Sequence, residues 1–283
     1  MDSGNHHRLH LADTVRERFL ARYRDPAMAA SPSEWNGALD TMLAHKSVRA
    51  YSDAPLPADL IETIVAAGQS APSSSNLQFW SVVAVRDAER KARLSRVASN
   101  QSHVANAPLL LVFVADLSRP RLLAGREGRS AEGLDYLETF IVAVADAAFA
   151  AQNAVVALES MGLGCCYIGS LRNDPIAVAR ELNLPSGAFA VFGMTVGYPD
   201  PANPADVKPR LPQESVLHYE QYGAIAPEPI AAYDDRMKSF RAEQGLSDTG
   251  WTEQAIARVE TAKSLMGRDT MSDTLRKLGF ALR

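Results

Sequence analysis

His45, Lys46, Ser47 and Arg49 stand within five positions of one another. Guanidinium and ammonium groups beside a hydroxyl make a seat for a phosphate, because each supplies donors to its oxygens. Lys208-Pro209-Arg210 offers a second basic pair, stiffened by the proline between them. Ser73, Ser74, Ser75, Asn76 and Gln78 form an uncharged polar stretch. Such a stretch can give donors and acceptors to the edge of a heteroaromatic ring. Gln101 and His103 are another polar pair in a loop. Tyr167-Ile168-Gly169-Ser170 carries a glycine, which lets backbone N–H groups approach a ligand closely. Each piece also has a plainer reading. A basic cluster is more often a solvated surface, and a Ser-rich stretch is more often a turn.

Other chemistries find no support. There is no Gly-x-Gly-x-x-Gly after a strand, no Walker loop, no His-Glu-x-x-His and no Gly-x-Ser-x-Gly. Gly162-Leu163-Gly164 lacks the third glycine in register. A net charge of −4 argues against a nucleic-acid partner. Cys165 and Cys166 are adjacent, a spacing that disfavours an unstrained bridge, and no spaced partner completes a metal set. No apolar run reaches the roughly 20 residues of a membrane span. The start of the chain has His6, His7, Arg8 and His10 and no apolar segment of a secretory signal. Asp13, Glu17 and Asp25 count against an organelle transit peptide. The expectation is a cytoplasmic protein with no metal.

The elements that must position these residues follow from periodicity. Residues 9–24 place Leu11, Val15, Phe19 and Tyr23 four apart, one apolar stripe on a charged helix ended by Asp25-Pro26. With the Pro-, Ala- and Ser-containing linker at 25–35, this makes an N-terminal arm whose stripe needs its own body or a partner chain. Leu39, Met42 and Leu43 predict a helix running into His45. Further helices are expected at 59–69 and 88–98, and strands at 80–85 and 109–115. Residues 118–133 read as a polar, mobile loop. Residues 134–161 form a long helix, apolar nearly all round from Ile141 to Leu158. Such a helix sits at a centre or between two subunits. Strands at 165–168 and 189–196 flank a helix started by Asn173-Asp174-Pro175. From Lys208 on there is no strand signal, and helices are expected near 229–242 and 252–265. The resulting division is an arm at 1–35, a core at 36–222 and a helical extension at 223–283.

The pieces, in this order, resemble the nitroreductase family of FMN enzymes, most closely its NADPH-dependent oxygen-insensitive nitroreductases and flavin reductases. They are His45-Lys46-Ser47-Val48-Arg49, Ala71-Pro72-Ser73-Ser74-Ser75-Asn76-Leu77-Gln78 and Gln101-Ser102-His103-Val104. Then come Ala151-Gln152-Asn153-Ala154, Gly162-Leu163-Gly164 with Tyr167-Ile168-Gly169, and Leu171-Arg172-Asn173-Asp174-Pro175. Phe192-Gly193 with Gly197-Tyr198-Pro199, and Lys208-Pro209-Arg210-Leu211-Pro212, complete the set. The resemblance implies an α+β fold, a mostly antiparallel central sheet flanked by helices, in an intertwined homodimer whose C-terminal extension wraps the partner.

It also implies site roles. His45, Lys46, Ser47, Arg49, Lys208 and Arg210 would hold the FMN phosphate. Ser73, Ser74, Asn76 and Gln78 would line the ring or ribityl chain, and Gln101 the pyrimidine side. Ile168, Gly169 and Ser170 would present N–H groups near N5 and O4. NAD(P)H would pass a hydride to N5, and a nitroaromatic, quinone or flavin would take it up in a ping-pong cycle, with no catalytic side chain. Arg241 and Arg268 are candidates for the NADPH phosphate. Many members have Arg where Lys46 stands and Gly where Ser170 stands. Flavin-cleaving or dehalogenating chemistry, and a non-catalytic flavin-binding module, are the alternatives.

Overall fold

The computed structural model describes residues 3–28, 32 and 34–283, with the helical backbone alone over 3–12. In chain order the elements begin with helices α1 (Ser3–Tyr23), α2 (Gly37–Ala44) and α3 (Leu60–Gln69), then strand β1 (Trp80–Val85). Helices α4 (Ala88–Val97) and α5 (Ser102–Asn106) lead to β2 (Leu109–Asp116), α6 (Ser118–Arg126) and α7 (Leu137–Ser160). Then come β3 (Gly164–Ile168), α8 (Pro175–Glu181), β4 (Ala188–Gly197), α9 (Pro227–Glu243), α10 (Trp251–Val259) and α11 (Met271–Lys277). The chain forms two units: residues up to Lys46 with Asp206–Leu265, and Ser47–Ala205 with Met266–Arg283.

The second unit holds the sheet, in the order β1-β2-β4-β3, with every neighbouring pair antiparallel. Every residue of β2 is buried, as a strand covered on both faces requires. Leu109, Leu111 and Phe113 face Leu60 and Ile64 of α3 and Ala151, Ala154, Val155 and Leu158 of α7. Leu110 and Val112 face the other way, toward Leu94, Val104 and Val178. That alternation is the period of two expected along a strand. Leu275 and Phe280 join Phe79, Leu117 and Phe189 in a third cluster.

The long helix α7, expected at a centre or between two subunits, packs at the centre of this unit and leaves part of its surface exposed. By length and composition it could cross a bilayer, yet it is the core helix of this unit. Alanines at 143, 147, 150, 151 and 154 are buried against the sheet and α3, while Ile141 and Phe149 are 53% and 49% exposed. The expected mobile loop at 118–133 is corrected, because α6 occupies its first half. Asp116 starts that helix by accepting from Ser118 N and Ser118 Oγ at 3.0 and 2.5 Å. Elsewhere the helix start read at Asp174 is observed. Asn36, Asp87 and Asp174 cap α2, α4 and α8, and Gly162 closes α7 at a φ of +78°.

In the first unit, Arg18 clamps Asp40 through two bonds of 2.7 and 3.0 Å, joining α1 to α2. Val15 is buried, and Phe19 lies beside Tyr23 and Trp35. The stripe thus packs partly within its own chain. The side chain of Leu11, and linker residues 29–31 and 33, lie outside the described residues. Tyr233, Met237 and Phe240 of α9 build a small core with Leu211 and Trp251.

Candidate functional site

In the second unit the polar loop before β1 is held by a residue the sequence reading passed over. Asp146 of α7 is 2% exposed. Its Oδ2 accepts from Ser73 Oγ at 2.8 Å and Phe79 N at 3.0 Å, and its Oδ1 accepts from Ser74 N at 3.2 Å. Ser73 Oγ also accepts from Gln78 N at 2.8 Å. The hydroxyl of Ser73 is therefore committed within the loop, whereas Ser74, Asn76 and Gln78 are exposed. Gln78 Nε2 donates to Asn76 Oδ1 at 3.2 Å, which brings those two predicted residues together. Arg119 of α6 holds the loop's far end, donating to Gln78 O at 2.9 Å and to Ser81 Oγ at 2.9 Å. A lone acid inside an apolar helix was the only available signal for Asp146.

Gln101 and Ser170 also meet. Gln101 Nε2 donates to Ser170 Oγ at 2.6 Å and to Ala98 O at 2.9 Å, so both amide hydrogens are engaged. Ile168 is buried at the end of β3, and Gly169 opens a short 3-10 turn. Arg172 folds back beside Gly169 and donates to Val191 O. Burial, then the charge of Arg268, lowers the pKa of Arg172 below the usual arginine value. Arg268 Nε donates to Asn173 Oδ1 at 2.9 Å, so it lies against the 169–173 turn.

Ser47 pairs with Cys165 of β3 in a parallel bridge, and Val48 N donates to Cys165 O at 2.9 Å. Ser47 and Arg49 are exposed on either side of buried Val48. The charge of Arg49 reaches His103, whose Nε2 is buried with no hydrogen-bond partner among the described residues. Burial, then Arg49, holds the His103 imidazole below its ordinary pKa. The neutral ring is thus the native form, and the unfolded chain binds the extra proton. Stability is then expected to fall as pH drops through the window below about 6.5, the ordinary histidine value. His103→Gln should flatten that acid limb when urea midpoints are compared near pH 5 and pH 7.5. An acid loss as large in the variant as in the wild type would reject this role.

In the first unit His45 and Lys46 are half-buried, and Lys208 and Arg210 are exposed. Arg22, 7% exposed at the end of α1, joins their backbones. Its Nη2 donates to His45 O at 2.7 Å and Leu43 O at 2.9 Å, and its Nη1 donates to Lys208 O at 3.1 Å. The sequence reading gave Arg22 no role beyond the charged helix at 9–24. Arg241 is engaged locally, donating to Ser247 O at 2.9 Å, Ser247 Oγ at 2.6 Å and Gln254 Oε1 at 3.0 Å.

These features define a class: an α+β protein with an antiparallel sheet walled by helices, and with polar segments at the ends of its elements. The chain belongs to the nitroreductase family; the family model matches residues 42–198, and that of the nitroreductase family C-terminal domain matches residues 208–283. It is similar to an FMN reductase (NADPH) of Bacillus subtilis, 36% identical over 87% of this chain and 98% of the relative. An oxygen-insensitive NADPH nitroreductase of Salmonella typhimurium is 33% identical over 87% of this chain and 98% of its own. Among solved structures, NfrA2 of B. megaterium superposes with a TM-score of 0.82 at 34% identity, covering 88% of this chain and all (100%) of that one.

Proposed function

We propose that this chain, an FMN-dependent NAD(P)H oxidoreductase, works in two half-reactions, with NADPH as donor and a nitroaromatic, quinone or flavin as acceptor. The residues present suit FMN, an anion at one end and a flat hydrogen-bonding ring at the other. His45, Lys46, Ser47, Arg49, Lys208 and Arg210 hold the phosphate. Ser74, Asn76 and Gln78 serve the ribityl chain and ring, with Ser73 keeping their loop in shape. Gln101 offers Oε1 as an acceptor to the pyrimidine edge, because its amide nitrogen is spent on Ser170 and Ala98. Backbone N–H groups at 168–170 meet the opposite edge. When bound, FMN supplies the two-electron chemistry at N5. The protein's part is to bind, orient and exclude water, and no side chain is required as acid or base. Arg268, set against the 169–173 turn, suits the NADPH phosphate better than Arg241, whose donors are engaged by its own neighbours.

The observation that carries this reading is that residues assigned to one cofactor, yet far apart in sequence, meet in the fold. Gln101 bonds Ser170, and His45 and Lys208 share Arg22. The enzyme acts as a homodimer in the cytoplasm. Ile141 and Phe149 on α7 support the dimer in one unit, and Val216, Tyr219, Tyr222 and Ile225, each at least 66% exposed, support it in the other. Large apolar side chains left in water call for a partner surface.

Purified protein given FMN is expected to be yellow and to oxidise NADPH faster than NADH. Double-reciprocal plots against acceptor should give parallel lines. A colourless protein that refuses FMN sinks the reading, and intersecting lines sink the two-step order.

A further inference from the structure

The family match begins at residue 42, so α1 lies wholly before it. This helix is nevertheless built into the first unit at the segments that carry the candidate phosphate-binding side chains. The last carbonyls of α2 have no partners within that helix, as at any helix C-terminus. Arg22 supplies them, bonding Leu43 O and His45 O through one nitrogen. Its other terminal nitrogen bonds Lys208 O, and its own carbonyl accepts from Arg210 N at 3.0 Å. One residue thereby fixes the backbones of His45, Lys208 and Arg210. Around it, Arg18 grips Asp40, Gln213 Nε2 donates to Tyr23 Oη at 3.3 Å, and Arg24 bonds Glu243 at 2.6 Å.

We propose that α1 is a built-in brace of the cofactor phosphate seat, with Arg22 as its positioning residue. The proposal rests on the FMN reading above. Cations on two chain segments bind one phosphate tightly only if their backbones are already in register. Otherwise the cost of ordering them is subtracted from the binding free energy. A guanidinium suits this task because its planar fork reaches acceptors on both sides at once, which a single ammonium cannot do.

The test compares FMN with riboflavin, which differ only by the phosphate. Dissociation constants are measured by flavin fluorescence on full-length apoprotein, for wild type, Arg22→Ala and Arg22→Lys. Arg22→Ala is expected to weaken FMN at least about tenfold, which is about 1.4 kcal/mol, and to leave riboflavin within about twofold. Arg22→Lys should show the same selective loss at smaller size, and it remains informative if the alanine variant does not fold. An unchanged ratio of FMN to riboflavin affinity in the variants overturns the brace. So does an equal loss of both ligands, which marks a general structural defect. Wild-type protein that binds FMN no better than riboflavin overturns the phosphate-seat assignment itself, a result visible before any variant is made.

Discussion

Asp146→Ala is expected to cost about 3–5 kcal/mol of folding stability and to weaken FMN binding at least about tenfold. The carboxylate takes three donors, Ser73 Oγ, Ser74 N and Phe79 N, in a buried place. Alanine strands two backbone N–H groups there, each at about 1–3 kcal/mol, while the serine hydroxyl can turn elsewhere. The loop it anchors is locally uphill. Ser75, Asn76 and Gln78 all have positive φ, at 49°, 55° and 52°, in a region that non-glycine residues rarely adopt. Without Asp146 the loop should relax, and Ser74, Asn76 and Gln78 lose their shared orientation. Asp146→Asn keeps the volume but must point an NH2 group at one of these donors, so it should fall between wild type and alanine. Urea midpoints and FMN dissociation constants are the measurements. A double-mutant cycle with Ser73→Ala adds the decisive comparison. Because Ser73 acts through Asp146, the effects on FMN affinity should be non-additive. Additive losses, or an alanine variant with an unchanged midpoint, would remove Asp146 from this role.

Asp146 also marks where sequence reading stops. The helix that carries it was legible because residues 141–158 are apolar apart from Asp146, Gln152 and Asn153, and β1 was legible because Trp80–Val85 is rich in Val. Periodicity reports how a segment faces its surroundings. It does not report which distant backbone atom needs an acceptor. Asp146 serves donors about seventy positions earlier, and Arg22 serves carbonyls on two separated segments. In a string of letters the first is an interruption and the second is one more surface charge. Helix α6 was missed for a related reason. Its glycine and polar residues read as loop, while the anchors that fix it, Asp116 at its start and Arg119 on the 78–81 backbone, are tertiary contacts. The cap signals, by contrast, were readable because Asp174 and Ala177 are three apart.

Gly164→Ala is expected to damage both the fold and the proposed phosphate-binding segment at 47–49, unlike its neighbour Gly162→Ala. A Cβ at 164 would stand 2.5 Å from Val48 Cγ2 and 2.8 Å from Val48 Cβ. Rotating the valine cannot relieve the contact at its Cβ, so the backbone of 47–49 has to move off β3. That segment is held there by Val48 N on Cys165 O, and by Tyr51 Oη, which donates to Val48 O at 2.7 Å. Overpacking of this kind costs about 1–3 kcal/mol. Because Ser47 and Arg49 flank the displaced valine, FMN affinity should fall with stability. Gly162 has open space where its Cβ would be, and only its positive φ resists alanine. Its substitution should cost about 1–2 kcal/mol and leave FMN binding unchanged in the folded protein. Val48→Gly, which removes both clashing atoms, should recover FMN affinity in the Gly164→Ala background, although Val48→Gly alone opens a cavity and destabilises. Recovery would identify Gly164 as the residue that lets the 47–49 segment lie against β3. Failure to recover, with FMN affinity low in the double variant and normal in Val48→Gly, would place the damage elsewhere on the strand.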